Sequence, residues 1–279
     1  MLSDDLSAYI KAMHLLGTGR TAEVYGLDAQ RVLKLFYSWY PADWAEAEVA
    51  GQRVLAKYNL PIAEILATVV VEDRFGIVYR RIAGGSLLDK LLADPGLAQQ
   101  TGKLLAELHF QIHQFEAAHL PSLQTRLIKR IRTELPLPKR TVDQIVTVLD
   151  RLPKGSALCH GDFHPGQVLG SEQQPYIIDW SAASGGNPLA DVASTLILLR
   201  IAHIPLADNT QKHTLELIRK PLHDAYLERY LQLAGKTKGE ELGGWLLVMS
   251  AARLSEGLAA EEKHLQEIID ARLCNCDHE

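Results

Sequence analysis

The sequence predicts an α+β protein of two lobes, a small β-rich lobe followed by a larger, mainly helical one. The chain has 279 residues, which is more than a single hydrophobic core usually supports, and this favours two packed lobes. Apart from one helix, residues 13–82 have the pattern of strands, whereas from Ser86 onward the pattern is mainly helical. We therefore expect an N-terminal lobe of residues 1–82, an antiparallel sheet with one helix, and a helical C-terminal lobe of residues 83–279.

The composition is that of an ordinary globular protein, with 47% hydrophobic and 23% charged residues. A net charge of −5 argues against a nucleic-acid partner, because phosphate backbones require a basic face. No run of about 18 apolar residues exists and the N-terminus lacks the apolar core of a secretory signal, so we expect no membrane span. Three cysteines, an odd number, indicate a reducing compartment, and we expect a cytoplasmic protein.

The first predicted element is a β-hairpin over residues 15–25, and its tip is rich in small residues. Gly17 and Gly19 permit a sharp turn and let backbone amides approach phosphate oxygens closely. A Gly-x-Gly sequence is weak evidence by itself, so an ordinary tight hairpin is the alternative interpretation.

The next strand, residues 31–36, places a lysine among apolar neighbours. Alternation puts Val32, Lys34 and Phe36 on one face. A lysine there is costly unless it is paired or reaches water. Considered alone, Lys34 would be an edge-strand lysine or one whose amine reaches solvent, but the motifs further along the chain reverse this interpretation.

The helix that follows, residues 41–58, offers two acidic partners for this lysine. At 100° per residue Glu48 shares a stripe with Leu55, whereas Glu46 shares the opposite stripe with Lys57. The charged stripe should face solvent. We therefore predict that Glu48 pairs with the strand lysine and that Glu46 is a surface residue.

A second hairpin is predicted from residues 65–72 and 75–82, with its turn around Asp73 and Arg74. It runs into a flexible Gly84-Gly85 joint that precedes the helical region.

The most informative segment is His160-Gly161-Asp162, which follows a short apolar strand, together with Asp179, which follows another one hairpin later. Phosphoryl transfer needs two such carboxylates. One accepts or orients the proton of an attacking hydroxyl, and the other holds Mg²⁺ against nucleotide phosphates. A glycine hairpin and Lys34 lie upstream of this pair. The four features together indicate phosphoryl transfer, which neither carboxylate indicates alone.

These segments resemble the aminoglycoside phosphotransferase and choline kinase-like small-molecule kinases, which share the protein-kinase fold. The resemblance covers residues 15–194 and is strongest over residues 160–191. It implies a bilobal protein-kinase-like fold and a phosphotransferase that uses ATP or GTP with Mg²⁺, or Mn²⁺ in its place. The acceptor implied is a hydroxyl of a small molecule such as an aminoglycoside, amino alcohol, amino acid or sugar.

The resemblance also implies residue roles. Asp162 is the catalytic base, and Asp179 is the principal metal ligand. Main-chain groups near Arg80 and Ile82 bond the nucleobase, and Tyr79 lies deepest in that pocket. The predicted nucleotide-binding residues are Gly17, Gly19, Val24, Val32, Lys34, Glu48, Tyr79, Arg80 and Ile82.

Two positions depart from the kinase pattern. Ala22 replaces its third glycine, and Gln167 replaces the asparagine five residues after the catalytic aspartate. The Gln167 amide oxygen can still ligate a metal, but on a longer chain, and Mg²⁺ demands near-ideal geometry. The alternative function is therefore a catalytically weak, pseudokinase-like nucleotide-binding regulator. The stretch between Asp179 and Asp191 is too short for the activation segment of a protein kinase.

Four further residues of this region have expected roles. We expect a structural role for His160, a core position for Phe163, and either a turn-bracing or a phosphate-contacting role for His164. By resemblance Asp191 braces the catalytic loop; as an alternative it is only an acid in the first turn of a helix.

The C-terminal helices, residues 207–273, are acidic. Their acids either form a cleft for a cationic acceptor or, more commonly, a solvated face. Arg253 and Glu256 share one helical face and are candidates to border the acceptor site. The acids concerned are Glu240, Glu241, Glu256, Glu261, Glu262 and Glu267.

Overall fold

The computed structural model describes residues 13–58, 60–117, 119–204, 206, 208–235 and 238–276. The chain forms two compact units. Unit 1 comprises Met1–Ser86 and Val168–Ser181, and unit 2 comprises Leu87–Gln167 and Ala182–Glu279. The division into lobes at residue 82 stays a prediction.

Unit 1 contains a five-stranded antiparallel sheet with strand order β1-β2-β3-β5-β4. One helix, α1, connects β3 to β4. The elements are β1 (His14–Thr18), β2 (Ala22–Gly26), β3 (Arg31–Phe36), α1 (Ala42–Leu55), β4 (Ile65–Val71) and β5 (Arg74–Arg80).

The alternation predicted for β3 is confirmed, because its two faces pack into two different apolar clusters. Phe36 packs with Ile77 and with Val49 of α1, whereas Leu33 and Leu35 belong to a separate cluster. The buried stripe of α1 includes the predicted Glu48 side. The sheet therefore presents the even-numbered residues of β3, Lys34 among them, on the face that α1 covers.

The turn between β4 and β5 lies at Glu72 and Asp73, one residue before the predicted position. Both residues have left-handed backbone angles, with φ of 46° and 61°. Charged residues tolerate this conformation only at some energetic cost, and the sequence pattern gave no sign of it. The prediction that the turn is centred on Asp73 and Arg74 is therefore wrong by one residue.

A second small hairpin completes unit 1, with β7 (Val168–Gly170) paired to β8 (Pro175–Ile177). The Ile177 amide donates to the Pro61 carbonyl at 2.7 Å. This bond attaches the end of β8, and with it the start of the Asp179 loop, to the chain just before β4.

Unit 2 is mainly helical. A two-stranded antiparallel pair, β6 (Ala157–Cys159) with β9 (Ser184–Gly186), accompanies the helices. Within the described ranges, no helix is both long and apolar enough to cross a bilayer. The helices are α2 (Leu87–Ala93), α3 (Ala98–Ile112), α4 (Leu123–Glu134), α5 (Lys139–Arg151), α6 (Pro188–Ile201), α7 (Asn209–Ala234), α8 (Lys238–Leu254) and α9 (Ala259–Cys276).

Helices α3 and α7 pack so closely that only glycine fits at one crossing point. A Cβ on Gly102 would lie 2.6 Å from the Leu222 carbonyl oxygen and 2.9 Å from the Ala225 Cβ. Helix α6 is buried on almost all sides. The predicted fold class, α+β with a β-rich N-terminal part and a mainly helical C-terminal part, is confirmed.

Candidate active site

In unit 1, Lys34 forms the centre of a buried charge cluster. Its Nζ lies 2.7 Å and 3.0 Å from the two Glu48 carboxylate oxygens and 3.1 Å from Asp179 Oδ1. The Lys34 side chain is 12% exposed and that of Glu48 is 1% exposed. The predicted ion pair with Glu48 is present, and the alternative of an edge-strand lysine that reaches solvent does not apply.

Two carboxylates share one ammonium group in this cluster. Burial acts to lower the pKa of Lys34, but the carboxylates of Asp179 and Glu48 outweigh it and raise the pKa. Burial in turn raises the pKa of Glu48, with Lys34 opposing that effect. The Lys34 ammonium therefore stays charged and holds the Glu48 and Asp179 side chains together.

The backbone around Asp179 is held in an uncommon conformation. Asp179 has a left-handed φ of 58°, which non-glycine residues adopt at a cost and which is frequent at functional sites. Trp180, the next residue, is buried, and its indole N–H donates to the Ile177 carbonyl at 3.2 Å. The loop after β8 is thus fixed with the Asp179 carboxylate against Lys34.

Tyr79 and Gln52 extend the same cluster. The Tyr79 hydroxyl lies 3.1 Å from Glu48 Oε1 and 3.2 Å from Gln52 Oε1. Burial raises the pKa of Tyr79, so the hydroxyl stays protonated and able to donate. Gln52 was not among the predicted site residues, although a polar residue on the buried stripe of α1 was a visible signal.

The glycine hairpin has the predicted pairing, with Gly17 opposite Val24 and the Gly19 amide donating to the Ala22 carbonyl at 2.8 Å. Neither glycine has a positive φ. The backbone angles of this turn are therefore not ones that only glycine adopts, and the phosphate-binding role of the two glycines stays a prediction. What Gly17 provides is bare backbone, since a Cβ there would meet no atom within 4 Å among the described residues.

In the segment that is expected to bond a nucleobase, some main-chain groups already form hydrogen bonds to neighbouring parts of unit 1. Val32 pairs with Tyr79 across β3 and β5. The Arg80 amide donates to the Glu64 carbonyl at 2.9 Å, so that donor is already used. The main chain of Ile82, in contrast, has no hydrogen-bond partner in the described part of the chain.

In unit 2, the catalytic loop follows β6. The Asp162 side chain is 39% exposed, and its Oδ2 lies 3.5 Å from Gln167 Nε2 and 3.9 Å from His164 Nε2. His164 Nδ1 accepts from the Gly166 amide at 3.1 Å, as the turn-bracing interpretation predicts. The structure therefore brings together the predicted base and the predicted second metal ligand within this unit.

Asp191 holds this loop through its backbone. Its carboxylate accepts from the His160 amide at 2.5 Å and from the Gly161 amide at 2.8 Å. This confirms the bracing role and excludes the alternative of an acid that only serves the helix terminus. Two further donors reach the same carboxylate, His109 Nε2 at 2.9 Å and His113 Nε2 at 3.3 Å.

The two histidines are themselves held by tyrosines, with Tyr226 and Tyr230 hydroxyls 2.7 Å from the Nδ1 atoms of His109 and His113. One protonation pattern satisfies every contact: each tyrosine donates to Nδ1 and each Nε2–H donates to Asp191. Burial, then His113, lowers the pKa of His109 to about 4, so this histidine is neutral.

Sequence reasoning missed this network, although the i,i+4 histidines on an apolar helix stripe were a signal. The two Nε2 atoms and an Asp191 oxygen lie within 4.8 Å of one another, close enough to hold a metal ion. Because the hydrogen bonds already satisfy both rings, we assign the cluster to loop support.

The C-terminal acids are partly buried in ion pairs. Arg253 binds Glu261 through Nε at 2.7 Å and Nη2 at 2.9 Å, and Glu256 through Nη1 at 3.1 Å. Burial acts to lower the pKa of Arg253, but Glu261, then Glu256 and Asp162, raise it. The solvated-face interpretation is wrong for Glu261, which is buried, and fits the exposed Glu262 and Glu267.

The donor chemistry fits a hard divalent cation. The Asp179 carboxylate of unit 1 offers the oxygen ligands that Mg²⁺ takes in nucleotide sites, where one or two carboxylates and phosphates typically bind it.

Solved structures of phosphotransferases and kinases share this fold at low sequence identity. A thermostable mutant of aminoglycoside phosphotransferase APH(4)-Ia, in complex with AMP-PNP and hygromycin B, is 18% identical, with a TM-score of 0.65 over 97% of this chain and 98% of that one. Amicoumacin kinase hAmiN, with AMP-PNP, Ca²⁺ and Ami, is 14% identical, with a TM-score of 0.62 over 94% and 88%. A choline/ethanolamine kinase family protein from Mesorhizobium loti is 18% identical, with a TM-score of 0.58 over 100% and 94%.

The sequence itself identifies the family. Residues 15–241 match the model of the phosphotransferase enzyme family, APH. The match spans most of the chain, and the protein belongs to this family. A search of curated proteins finds no match.

Proposed function

We propose that this protein transfers the γ-phosphoryl group of ATP or GTP to a hydroxyl of a small molecule. The observation that carries the proposal is the buried contact of Lys34 with both Glu48 and Asp179. A lysine that serves only stability needs one carboxylate, whereas a lysine that binds phosphates beside a metal ligand explains both. Solved relatives in this fold bind AMP-PNP together with hygromycin B or amicoumacin, which supports a nucleotide and a small acceptor.

In unit 1, the hairpin backbone at Gly17 and Gly19 and the Lys34 ammonium bind the phosphates. Val24 and Val32 pack on the nucleobase, and main-chain groups near Ile82 bond its edge. Asp179 and Gln167 would hold Mg²⁺ or Mn²⁺, which when bound neutralises charge on the β- and γ-phosphates.

In unit 2, Asp162 accepts the proton of the acceptor hydroxyl. The hydroxyl oxygen attacks the γ-phosphorus, the bond from that phosphorus to the β–γ bridging oxygen breaks, and ADP or GDP leaves. The transferred group is never bound to the enzyme. Asp191 contributes by fixing the His160 and Gly161 backbone, so that the Asp162 carboxylate is positioned before the acceptor arrives.

The alternative, a catalytically weak regulator that binds nucleotide, rests on Ala22 and Gln167. The geometry favours the enzyme, because the Gln167 amide remains beside Asp162 and the Lys34 cluster is complete. The acceptor classes stay those of the sequence analysis, and we propose a cytoplasmic location.

The experiment is a nucleotide-consumption assay with Mg²⁺ or Mn²⁺ over a panel of hydroxylated acceptors. Asp162→Ala should still bind nucleotide and lose acceptor-dependent turnover by about 10² to 10⁴, the usual contribution of a general base. Asp150→Ala, which removes an exposed acid of α5, is the matched control and should keep full activity.

The possible outcomes separate the two functions. A wild-type protein that binds nucleotide but phosphorylates no acceptor supports the regulator. Full acceptor-dependent activity in Asp162→Ala shows that the base is a different residue.

A further inference from the structure

Two arginines of α4 lie beside the catalytic loop. Arg126 Nη2 donates to the Ala182 carbonyl at 2.8 Å and lies 3.3 Å from the Ser184 hydroxyl. The same carbonyl oxygen would be only 2.7 Å from a Cβ on Gly161. The Arg126 guanidinium is thus one carbonyl group away from the residue that precedes Asp162. Arg130 lies one helical turn further along the same face.

Arg126 is a half-buried cation that forms no close ion pair. Both of its side-chain hydrogen bonds go to neutral groups, and within the described ranges no carboxylate lies in ion-pair distance of it. Burial, then the charge of Arg130, lowers the pKa of Arg126, and the more distant Asp191 carboxylate opposes this shift only in part. A charge that is removed from water and only partly compensated is costly, and such groups are usually found with a counter-ion.

Helix α4 adds to this positive potential. The Ser122 hydroxyl caps its first turn by accepting from the Thr125 amide, but that turn contains no acidic residue to neutralise the partial positive charge of the amino-terminal end. Burial, the neighbouring arginine and the helix end therefore all favour an anion at the same place.

The neighbouring acids are already engaged. Glu261 is bound by two nitrogens of Arg253 and by the His203 amide at 2.9 Å. Glu256 lies 3.1 Å from Arg253 and 3.4 Å from Arg130. These acids are therefore poorly placed to receive a cationic acceptor.

Arg130 is held only loosely. Its contact with Glu256 is long and its distance to Glu134 is 3.8 Å. Its side chain is 38% exposed, so the guanidinium can reorient toward a ligand. The Ala182 carbonyl that Arg126 binds lies against Gly161, the residue before the predicted base, and the Asp162 carboxylate contributes to the raised pKa of Arg253.

We propose that the acceptor of this enzyme carries an anionic group, a carboxylate or a phosphate ester, which binds Arg126 and Arg130 while its hydroxyl faces Asp162. The guanidinium group suits both anions, because it can donate two parallel hydrogen bonds to paired oxygens. The inference rests on the proposed phosphotransferase function and narrows its acceptor. It differs from the cationic acceptor that the acidic C-terminal helices left open as one of two interpretations.

The first test uses acceptors matched in size. Glycerate carries a carboxylate, glycerol 3-phosphate a phosphate, glycerol no charge and ethanolamine a positive charge; larger hydroxy acids, sugar phosphates and aminoglycosides extend each class. We expect turnover with acid-bearing acceptors, and the carboxylate and phosphate arms show which anion is used. Arg130→Gln should raise KM for them by about 10- to 100-fold with a smaller change in kcat. Lys129→Gln, which removes an exposed charge of the same helix, is the control.

The second test does not depend on finding the acceptor. With AMP-PNP saturating the nucleotide site, malonate and inorganic phosphate should raise the Tm of the wild type and of Lys129→Gln, and Arg130→Gln should lose this shift. Arg126→Lys, which keeps the charge, should retain part of it.

The results distinguish the two proposals. A wild-type protein that binds no nucleotide removes the proposed function. Nucleotide binding with turnover of only neutral or cationic acceptors overturns the anionic acceptor alone, and so does an anion-dependent Tm shift that Arg130→Gln leaves intact.

Discussion

Lys34 shows how much a single side chain can determine in this protein. Glu48 is almost fully buried, and apart from the Tyr79 hydroxyl its carboxylate is compensated by the Lys34 ammonium. The same ammonium faces Asp179. Loss of the lysine should therefore have two separable effects. It should lower stability through the buried Glu48 carboxylate, and it should lower the affinity for a ligand that binds beside Asp179.

Lys34→Met should lower the free energy of unfolding by about 3–5 kcal/mol, because it leaves a buried carboxylate without its cation. Nucleotide affinity should fall at least about tenfold, since a charge-assisted contact with phosphate is lost. Urea unfolding and nucleotide titration measure the two effects. The double variant Lys34→Met/Glu48→Gln is the control and should regain stability but not affinity. A single variant as stable as the wild type contradicts this account.

Some residues could be assigned from the sequence and others could not. The choice of Glu48 over Glu46 needed only the helical stripe of α1. His109 and Asp191, in contrast, are 82 positions apart, and Arg126 meets Ala182 across 56 positions. No local pattern encodes such contacts, so the histidine network and the arginine pair became visible only in three dimensions.

At the scale of elements, two helical glycines occupy opposite environments. Gly102 lies where α3 meets α7, and a Cβ there would approach the Leu222 backbone. Gly51 lies in α1, where a Cβ would meet no atom within 4 Å among the described residues. The same substitution should therefore have opposite signs at the two positions.

Gly102→Ala should destabilise the protein by about 1–3 kcal/mol, because α3 and α7 must move apart. Gly51→Ala should stabilise it by about 0.5–1 kcal/mol, the usual helix preference of alanine over glycine. Denaturant unfolding followed by circular dichroism checks both, and each variant is the control for the other. Changes of equal sign would show that the α3–α7 contact is not as close as the structure indicates.

Element types were easier to predict than element ends. The strands and α1 follow from apolar periodicity. Apolar spacing alone predicts a helix over residues 97–115, whereas α3 covers Ala98–Ile112. It begins one residue later because Pro95–Leu97 forms a separate 3₁₀ turn capped by Asp94. The β4–β5 turn shifted by one residue for a similar local reason. The ends of helices and strands depend on capping residues and backbone angles, which the spacing of apolar residues does not specify.

At the scale of the whole molecule, the buried histidine of unit 2 links stability to pH. The pKa of His109 falls from 6.5 to about 4 on folding, chiefly through burial. Between these values the unfolded chain binds a proton that the folded chain does not. Acidification through this range must therefore favour unfolding. Asp191, whose pKa is held well below its usual value of 3.8, acts in the same direction at lower pH.

We expect the wild type to lose about 2 kcal/mol of stability between pH 7.5 and pH 5 from His109 alone. His109→Gln should be less stable at pH 7.5, because it loses bonds to Tyr226 and Asp191, and should show a smaller loss on acidification. Urea midpoints at four pH values compare the two slopes. His264→Gln, which removes an exposed histidine of α9, is the control and should keep the wild-type slope. Equal slopes in wild type and His109→Gln would mean that another group titrates.

The family was predictable although its structural relatives share only 14–18% identity with the chain. Phosphoryl transfer requires a few residue types at a fixed spacing. Members of the family keep these residues even where the residues of the core differ. The acceptor is different. The arginines that we propose bind it, Arg126 and Arg130, lie outside these motifs, so the sequence pattern does not identify the acceptor.

The burial of Trp180 next to Asp179 also gives the protein an optical reporter. An indole enclosed in apolar surroundings emits at shorter wavelength than one in water. Trp39 and Trp44 are 66% and 60% exposed, so replacing both with phenylalanine removes most of the solvent-exposed emission. The light that remains comes from buried indoles, and a red shift caused by Trp180 would signal that the loop after β8 has opened before the rest of unit 1 melts.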